Sequence, residues 1–255
     1  MPVTQHLTPR WNWRPLLALA FVGALASMAQ EQDEQVTRMR AALAAPDRPA
    51  ENKARDAGRK PIESVQFFGI ETGDTVADMI AAGGWFTEVL SAAVGPSGKV
   101  YSSNPAFLVQ QDAETALHKR LGNVVAVHGP LAEAGAANVD AIVTAQNLHD
   151  IYNGFDDQPA GEPAAVDFLR SLYAALKPGG VLGVIDHVGI AGQDNKTLHR
   201  IQPQQARDAL RKAGFTIEAE SPLLANPADD HTKGVFDPSI RGTTDQFMFR
   251  ARKPR

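Results

Sequence analysis

GDTVADMIAAGGWFTEVLSAAVGPSGKVYSSN, Gly73 to Asn104, decides the fold. Val76 to Ile80 is a short apolar run of strand length. Ala81-Ala82-Gly83-Gly84 is a small-residue turn. From Trp85 to Val94 the apolar side chains recur at helical spacing, with Trp85, Val89 and Ala92 on one side. Gly95-Pro96-Ser97-Gly98 ends that helix, since proline cannot continue it and glycine tolerates the left-handed turn. Lys99-Val100-Tyr101-Ser102 then opens a second strand. A strand joined to a parallel strand through one helix is the unit of an open α/β sheet. The tight turn after its first strand lies where such sheets bind nucleotides.

The pattern continues outward. The spacing predicts a helix over residues 105–121, a third strand at Val124–Val127, a fourth at Val139–Thr144 and a helix over Ala164–Leu176. Lys177-Pro178-Gly179-Gly180 turns the chain into a fifth strand, Val181–Ile185. A helix over Pro203–Ala213 and a sixth strand, Phe215–Ala219, follow. The last strand, Gln246–Ala251, is separated from the sixth only by a loop rich in Pro and Gly, so an antiparallel return is expected. On the N-terminal side, helices are predicted over Gln30–Ala44, Ala50–Arg59 and Pro61–Phe68. The expectation is a Rossmann-like, doubly wound α/β fold: a mostly parallel seven-stranded sheet with an antiparallel last strand, plus N-terminal helices.

The first residues differ from the rest. Arg10 and Arg14 precede an apolar run from Leu16 to Leu25, and small residues follow at Ala26, Ser27 and Ala29. This reads as a secretory signal peptide over residues 1–29, with cleavage after Ala26 or Ala29. A helical segment over 30–69 and an α/β domain over 70–255 complete the expected organisation. The apolar run is shorter than the ~20 residues of a spanning helix, so no stable membrane span is expected after cleavage. The chain contains no cysteine. Disulfides, thiolate nucleophiles and Cys-ligated zinc are therefore excluded, and export to a periplasm fits. The formal charge of -4, with Lys and Arg scattered, argues against nucleic-acid binding. A small-molecule substrate is the expected partner.

Ligands of a parallel sheet bind beyond the carboxyl ends of its strands. Asp78 to Gly84, Asn104, Gln146 to Asp150, Asp186-His187 and the long 221–244 loop all fall there. Four of the seven histidines gather on this rim: His149, His187, His199 and His231. His149 is the candidate base, since an unperturbed imidazole titrates near pH ~6.5. Asp150 or Asp186 would hold its tautomer, with His187 beside it. The same rim, with Asp229, offers nitrogen and oxygen atoms to a metal ion, but no compact His-x-x-x-His pair is present and no metal ligand is assigned.

Four motifs in order carry a resemblance: Gly73 to Asp78, Gly83-Gly84-Trp85-Phe86-Thr87-Glu88, Leu176-Lys177-Pro178-Gly179-Gly180 and Asp245-Gln246-Phe247. With them the chain resembles the class I S-adenosylmethionine-dependent methyltransferases, in particular an exported subgroup of predicted methyltransferases. The resemblance covers residues 47–254. It implies S-adenosyl-L-methionine as cofactor, held around Asp78, Ala82, Gly83, Gly84, Trp85, Asn104 and Asn147, and methyl transfer to a small-molecule or envelope acceptor, for which the strand-tip residues His149, Asp150, Asp186 and His187 are the candidate catalytic groups. The chain departs from the family at four points. Ile80 and Ala82 stand at the first two turn glycines, Asn104 at the ribose-binding acid and Pro130 at the acid near the adenine. Two other readings follow: a non-catalytic ligand-binding protein of the same fold, and a metal-dependent hydrolase using the His/Asp rim.

Overall fold

The computed structural model describes residues 14–154 and 160–255. Helix α1 (Arg14–Leu43) is followed by α2 (Ala50–Arg59), α3 (Pro61–Phe68), β1 (Thr75–Met79), α4 (Trp85–Val94) and β2 (Lys99–Ser103). Next come α5 (Gln111–Arg120), β3 (Val124–Val127), β4 (Val139–Ala145), α6 (Leu148–Asn153), α7 (Glu162–Ala175) and β5 (Leu176–His187). The chain closes with α8 (Pro203–Lys212), β6 (Thr216–Ser221) and β7 (Gln246–Arg252). Among the described residues, those up to Glu34 and those from Gln35 to Arg255 form separate compact units. The second carries the sheet and all that is described below. Arg10 of the expected leader lies outside the described residues. Among the described residues no helix is long and apolar enough to cross a membrane.

The sheet has seven strands in the order β3-β2-β1-β4-β5-β7-β6. The pairings of β1 with β2 and β4, of β2 with β3 and of β4 with β5 are parallel. β7 runs antiparallel to both β5 and β6. The order reverses between β1 and β4, both of whose tips face the same edge. That reversal opens a crevice at the switch point. One face of the sheet packs Leu169, Leu172, Leu210 and Phe215 against Ile142, Leu182 and Phe249. The other packs Met39, Phe68, Val89 and Leu90 against Val76, Val100 and Val143. A side chain at Gly183 of β5 would stand 2.8 Å from the Phe68 ring, so the bare backbone there lets α3 lie close on the sheet.

The strand-helix-strand unit has the expected boundaries to within one residue. Two differences have physical causes. The helix expected over 105–121 splits into a 3-10 turn, Ala106–Leu108, and α5, because Val109 is extended between them. Phe107 is 72% exposed and only Leu117 of α5 is buried, so the apolar stripe never meets the core. The Lys177–Gly180 turn is a bulge inside β5: Val139 pairs with Leu176, and pairing resumes at Ala141 with Val181. β7 makes the expected antiparallel return between β5 and β6, which leaves β6 as the edge strand and buries β7 on both faces. A further difference is the length of α1, one helix from Arg14 rather than from Gln30.

Candidate active site

The β1 tip sets the first half of the site. Ile80 and Ala82 hold left-handed conformations at φ 57° and 49°, and Gly84 follows at 78°. Only glycine adopts this region without strain, and a β-branched isoleucine there is a genuine outlier. The turn therefore keeps the backbone path of a glycine-rich loop despite two substituted positions. Hydrogen bonds pin it: Ala81 N–H donates to Ser103 O at 3.1 Å and Ala82 N–H to Asn104 Oδ1 at 2.8 Å. Asn147 Nδ2 donates to Met79 O and Ala145 O, at 3.0 and 2.9 Å, and ties the β1 and β4 tips together. Ala82 and Gly83 are exposed. A side chain at Gly84, by contrast, would stand 2.9 Å from Leu117 Cδ2.

Asp78 lies beneath this turn. Its Oδ2 accepts from Thr87 Oγ1 at 2.7 Å, and the Thr87 hydroxyl also meets Ser102 Oγ at 3.2 Å. The carboxyl group is buried at 2% exposure. Burial pushes its pKa up to about 7, against the opposing pull of the Thr87 bonds and of Arg59. Asp78 thus supports the start of α4 from below rather than standing open in the crevice.

Trp85 is likewise turned to structure. Its Nε1–H donates to Asn52 O and Asp56 Oδ1, both at 3.0 Å, and so docks α2 over α4. Arg48 adds to this clamp through Glu88 Oε2 at 2.7 Å and Asp56. The docked helix delivers Arg59, whose guanidinium stands 4.8 Å from the Trp85 ring centre. Burial and neighbouring Arg55 lower its pKa to about 9, which leaves it charged at neutral pH. Among the described residues it has no carboxylate within salt-bridge distance. Arg59 Nη2 donates to Gln146 Oε1 at 2.5 Å, and Gln146 Nε2 donates to Gln246 Oε1 at 3.0 Å. Arg59, Trp85, Gln146 and Gln246 line a crevice of about 10 Å³, room for roughly one water. A larger cleft, about 460 Å³, lies beside the C-terminal half of α4 near Arg38, Arg48 and Arg120, away from the strand tips.

The second half is a histidine-carboxylate cluster at the tips of β4 and β5. Asp186, fully buried, accepts from His149 Nδ1 at 2.6 Å, from His149 N–H at 2.8 Å and from His187 N–H at 2.7 Å. The opposite ring nitrogen, His149 Nε2, lies 3.3 Å from Asp150 Oδ1. His199 Nδ1 meets the same Asp150 oxygen at 2.9 Å. The His149 ring centre is 5.7 Å from those of both His187 and His199. His187 Nδ1 is 2.8 Å from Thr244 Oγ1.

The two buried rings are held in opposite charge states. Burial disfavours the charged form of His149, but Asp186 and Asp150 outweigh it and raise its pKa to about 10. For His187, burial dominates, and nearby His149, Arg200 and Arg59 add to it, lowering the pKa to about 3. At neutral pH His149 is therefore an imidazolium between two carboxylates, whereas a free base requires the neutral ring. Burial works to protonate Asp150, yet its bonds to His149 and His199 keep its pKa below the ordinary carboxylate value.

Of the residues expected at the site, His149, Asp150, Asp186 and His187 meet in one cluster, and His199 joins them. Asp78, Ala82, Gly83, Gly84, Asn104 and Asn147 build the loop. His231 belongs to another network: its Nε2 is 2.9 Å from Asp245 Oδ2, beside the buried Arg200–Asp229 pair. Sequence reasoning missed Arg59, because tertiary packing alone brings the end of α2 to this rim; Thr244 and Gln246 stand where the returning strand was expected to start at this edge, but neither was assigned a role.

No protein-family model matches the sequence, and no curated protein matches it. Solved structures do share its fold. A S-adenosylmethionine-dependent methyltransferase from Aquifex aeolicus superposes with a TM-score of 0.55 at 21% identity, over 76% of this chain and 89% of that one. An arsenic(III) S-adenosylmethionine methyltransferase from Chlamydomonas reinhardtii gives 0.54 at 18% identity, over 86% and 73%. The [4+2]-cyclase SpnF gives 0.53 at 20% identity, over 78% and 81%. At these identities the likeness is one of fold, and the cyclase shows that the fold is not tied to one reaction.

Proposed function

We propose that the protein is an exported S-adenosylmethionine-dependent methyltransferase acting on a small polar acceptor. The observation that carries this reading is the β1 turn: Ile80 and Ala82 accept left-handed strain at the switch point of a sheet whose fold is shared with the methyltransferases named above. A backbone held in a sparsely allowed conformation by its surroundings points to a site that needs that path.

The donor set fits the cofactor. Arg59, charged and without a carboxylate partner among the described residues, suits a ligand carboxylate. The Ala82 N–H fixes Asn104 Oδ1 as acceptor, so Asn104 presents its Nδ2 amide to a ribose hydroxyl as donor. The exposed backbone at Ala82 and Gly83 lets a ligand lie close. When bound, the cofactor supplies an electrophilic methyl group on a sulfonium sulfur. His149, Asp150, His187 and His199 supply the polar wall on the other side, where an acceptor with hydroxyl or amine groups would be oriented. The leader-like N-terminus is the basis for placing the reaction outside the cytoplasm.

Titration calorimetry with S-adenosylmethionine and S-adenosylhomocysteine tests the reading. Saturable one-to-one binding of both is expected. Absence of heat with either at millimolar ligand would sink it. Binding without turnover on any acceptor would favour the second reading, a ligand-binding protein, for which the substituted glycines at 80 and 82 speak.

A further inference from the structure

We propose that His149, Asp150 and His199 form a binding site for a first-row divalent cation of the zinc type. Three protein atoms converge there. His149 Nε2 and His199 Nδ1 lie 3.3 and 2.9 Å from the same Asp150 oxygen. One ligand atom from each residue lies within 4.8 Å of the other two. Tetrahedral bonds of about 2.0–2.1 Å to nitrogen and oxygen separate neighbouring ligand atoms by roughly 3.3 Å. The cluster thus needs only small side-chain shifts to enclose an ion.

The surroundings match a metal centre on three further counts. The ring nitrogen of His149 opposite the candidate ion is held by buried Asp186 at 2.6 Å. A carboxylate behind a ligand histidine fixes its tautomer and orientation and is the usual outer partner in zinc sites. Exposure is graded across the three side chains: 4% for His149, 24% for Asp150 and 36% for His199. One wall is therefore dry and one side is open, leaving a fourth position for water or a ligand atom. His199 is also held in place, with a left-handed backbone at φ 53° and its ring edge-on to Phe236, 4.9 Å between centres. Two imidazoles and a carboxylate without thiolate favour zinc-like ions over magnesium or calcium. Binding would displace the proton that His149 carries at neutral pH, and with both imidazoles then neutral the two charges of the ion balance Asp150 and Asp186.

The site rests on side-chain geometry alone, so it stands or falls separately from methyl transfer. In use, an ion there would coordinate an acceptor oxygen and favour its deprotonated form. The experiment is equilibrium dialysis of the full chain against Zn²⁺, read by elemental analysis, and the electronic spectrum of the Co²⁺ form. The wild type is expected to retain one ion per chain and to give tetrahedral Co²⁺ bands. His199→Ala and Asp150→Asn should each bind at least about 10-fold more weakly. Both alter partly exposed side chains, and thermal melting confirms that the variants are folded. His128→Ala, which removes the surface pair with Glu114, should bind like the wild type. Less than one retained ion, or equal affinity in wild type, His199→Ala and Asp150→Asn, would overturn the proposal.

Discussion

His149 and Asp186 are joined twice: the ring Nδ1 and the backbone N–H of the histidine both meet the one carboxylate, at 2.6 and 2.8 Å. The first bond aims the ring and the second fixes the start of α6. The tips of β4 and β5 are thereby locked in a single relative position, and the site inherits its geometry from that lock. Asp186→Ala would leave a buried imidazolium and two backbone N–H groups without their partner. A loss of about 3–5 kcal/mol in unfolding free energy is expected. Urea denaturation measures it, and a loss below about 1 kcal/mol would contradict the lock.

Asp78 gives the protein a pH dependence of defined sign. Its carboxyl group titrates at about 7 when folded, chiefly because it is buried, and near ~3.9 when unfolded. Between these values the folded chain keeps a proton that the unfolded chain has released. Stability therefore falls as pH rises through this window, by at most roughly 4 kcal/mol, and is flat above it. Asp78→Asn should remove this component while leaving an oxygen for Thr87. The stability difference between variant and wild type should grow from pH 4 to pH 7. A difference constant over that range would show that Asp78 is ionised throughout.

The β1 turn predicts two opposite responses to substitution. Ala82→Gly relieves a left-handed alanine but loosens the unfolded chain, so stability should change by less than about 1 kcal/mol. Backbone access to the ligand improves, and S-adenosylmethionine should bind more tightly. Gly84→Ala puts a methyl group against Leu117 at a positive φ and should cost about 2 kcal/mol. Calorimetry and denaturation on both variants decide it. Weaker binding by Ala82→Gly would mean that the loop methyl is a contact rather than an obstacle.

Arg59 offers a test that separates binding from stability. A half-buried cation with no carboxylate within salt-bridge distance among the described residues contributes little to folding, and its contact with the Trp85 face is worth about 0.5–2 kcal/mol. Arg59→Met should melt within a few degrees of the wild type while losing at least tenfold in cofactor affinity, about 1.4 kcal/mol. Unchanged affinity would remove Arg59 from the site.

Short-range patterns made the strand-helix-strand unit legible. Val76 to Ile80, the Ala81–Gly84 turn and Trp85 to Val94 each carry their own periodicity or breaker. The rule that ligands sit at strand tips gathers His149, Asp150, Asp186 and His187 on one rim from the sequence alone. The same local reading failed at residues 105–121, where apolar spacing suggested one helix. There Phe107 stays exposed, and only burial distinguishes a core stripe from a surface one.

The sequence by itself determined the parallel βα units, the antiparallel return of β7 and the edge of the sheet that bears polar groups. These follow from hydrophobic period, turn residues and connection length, all properties of neighbouring residues. Tertiary structure alone decided that Asp78 and Asn147 brace the β1 turn from below, that Trp85 docks α2 over α4, that Arg59 enters the crevice and that the carboxylates around His149 raise its pKa. Those outcomes depend on which side chains from distant segments share a buried space, where desolvation and a partner at 3 Å outweigh any intrinsic preference.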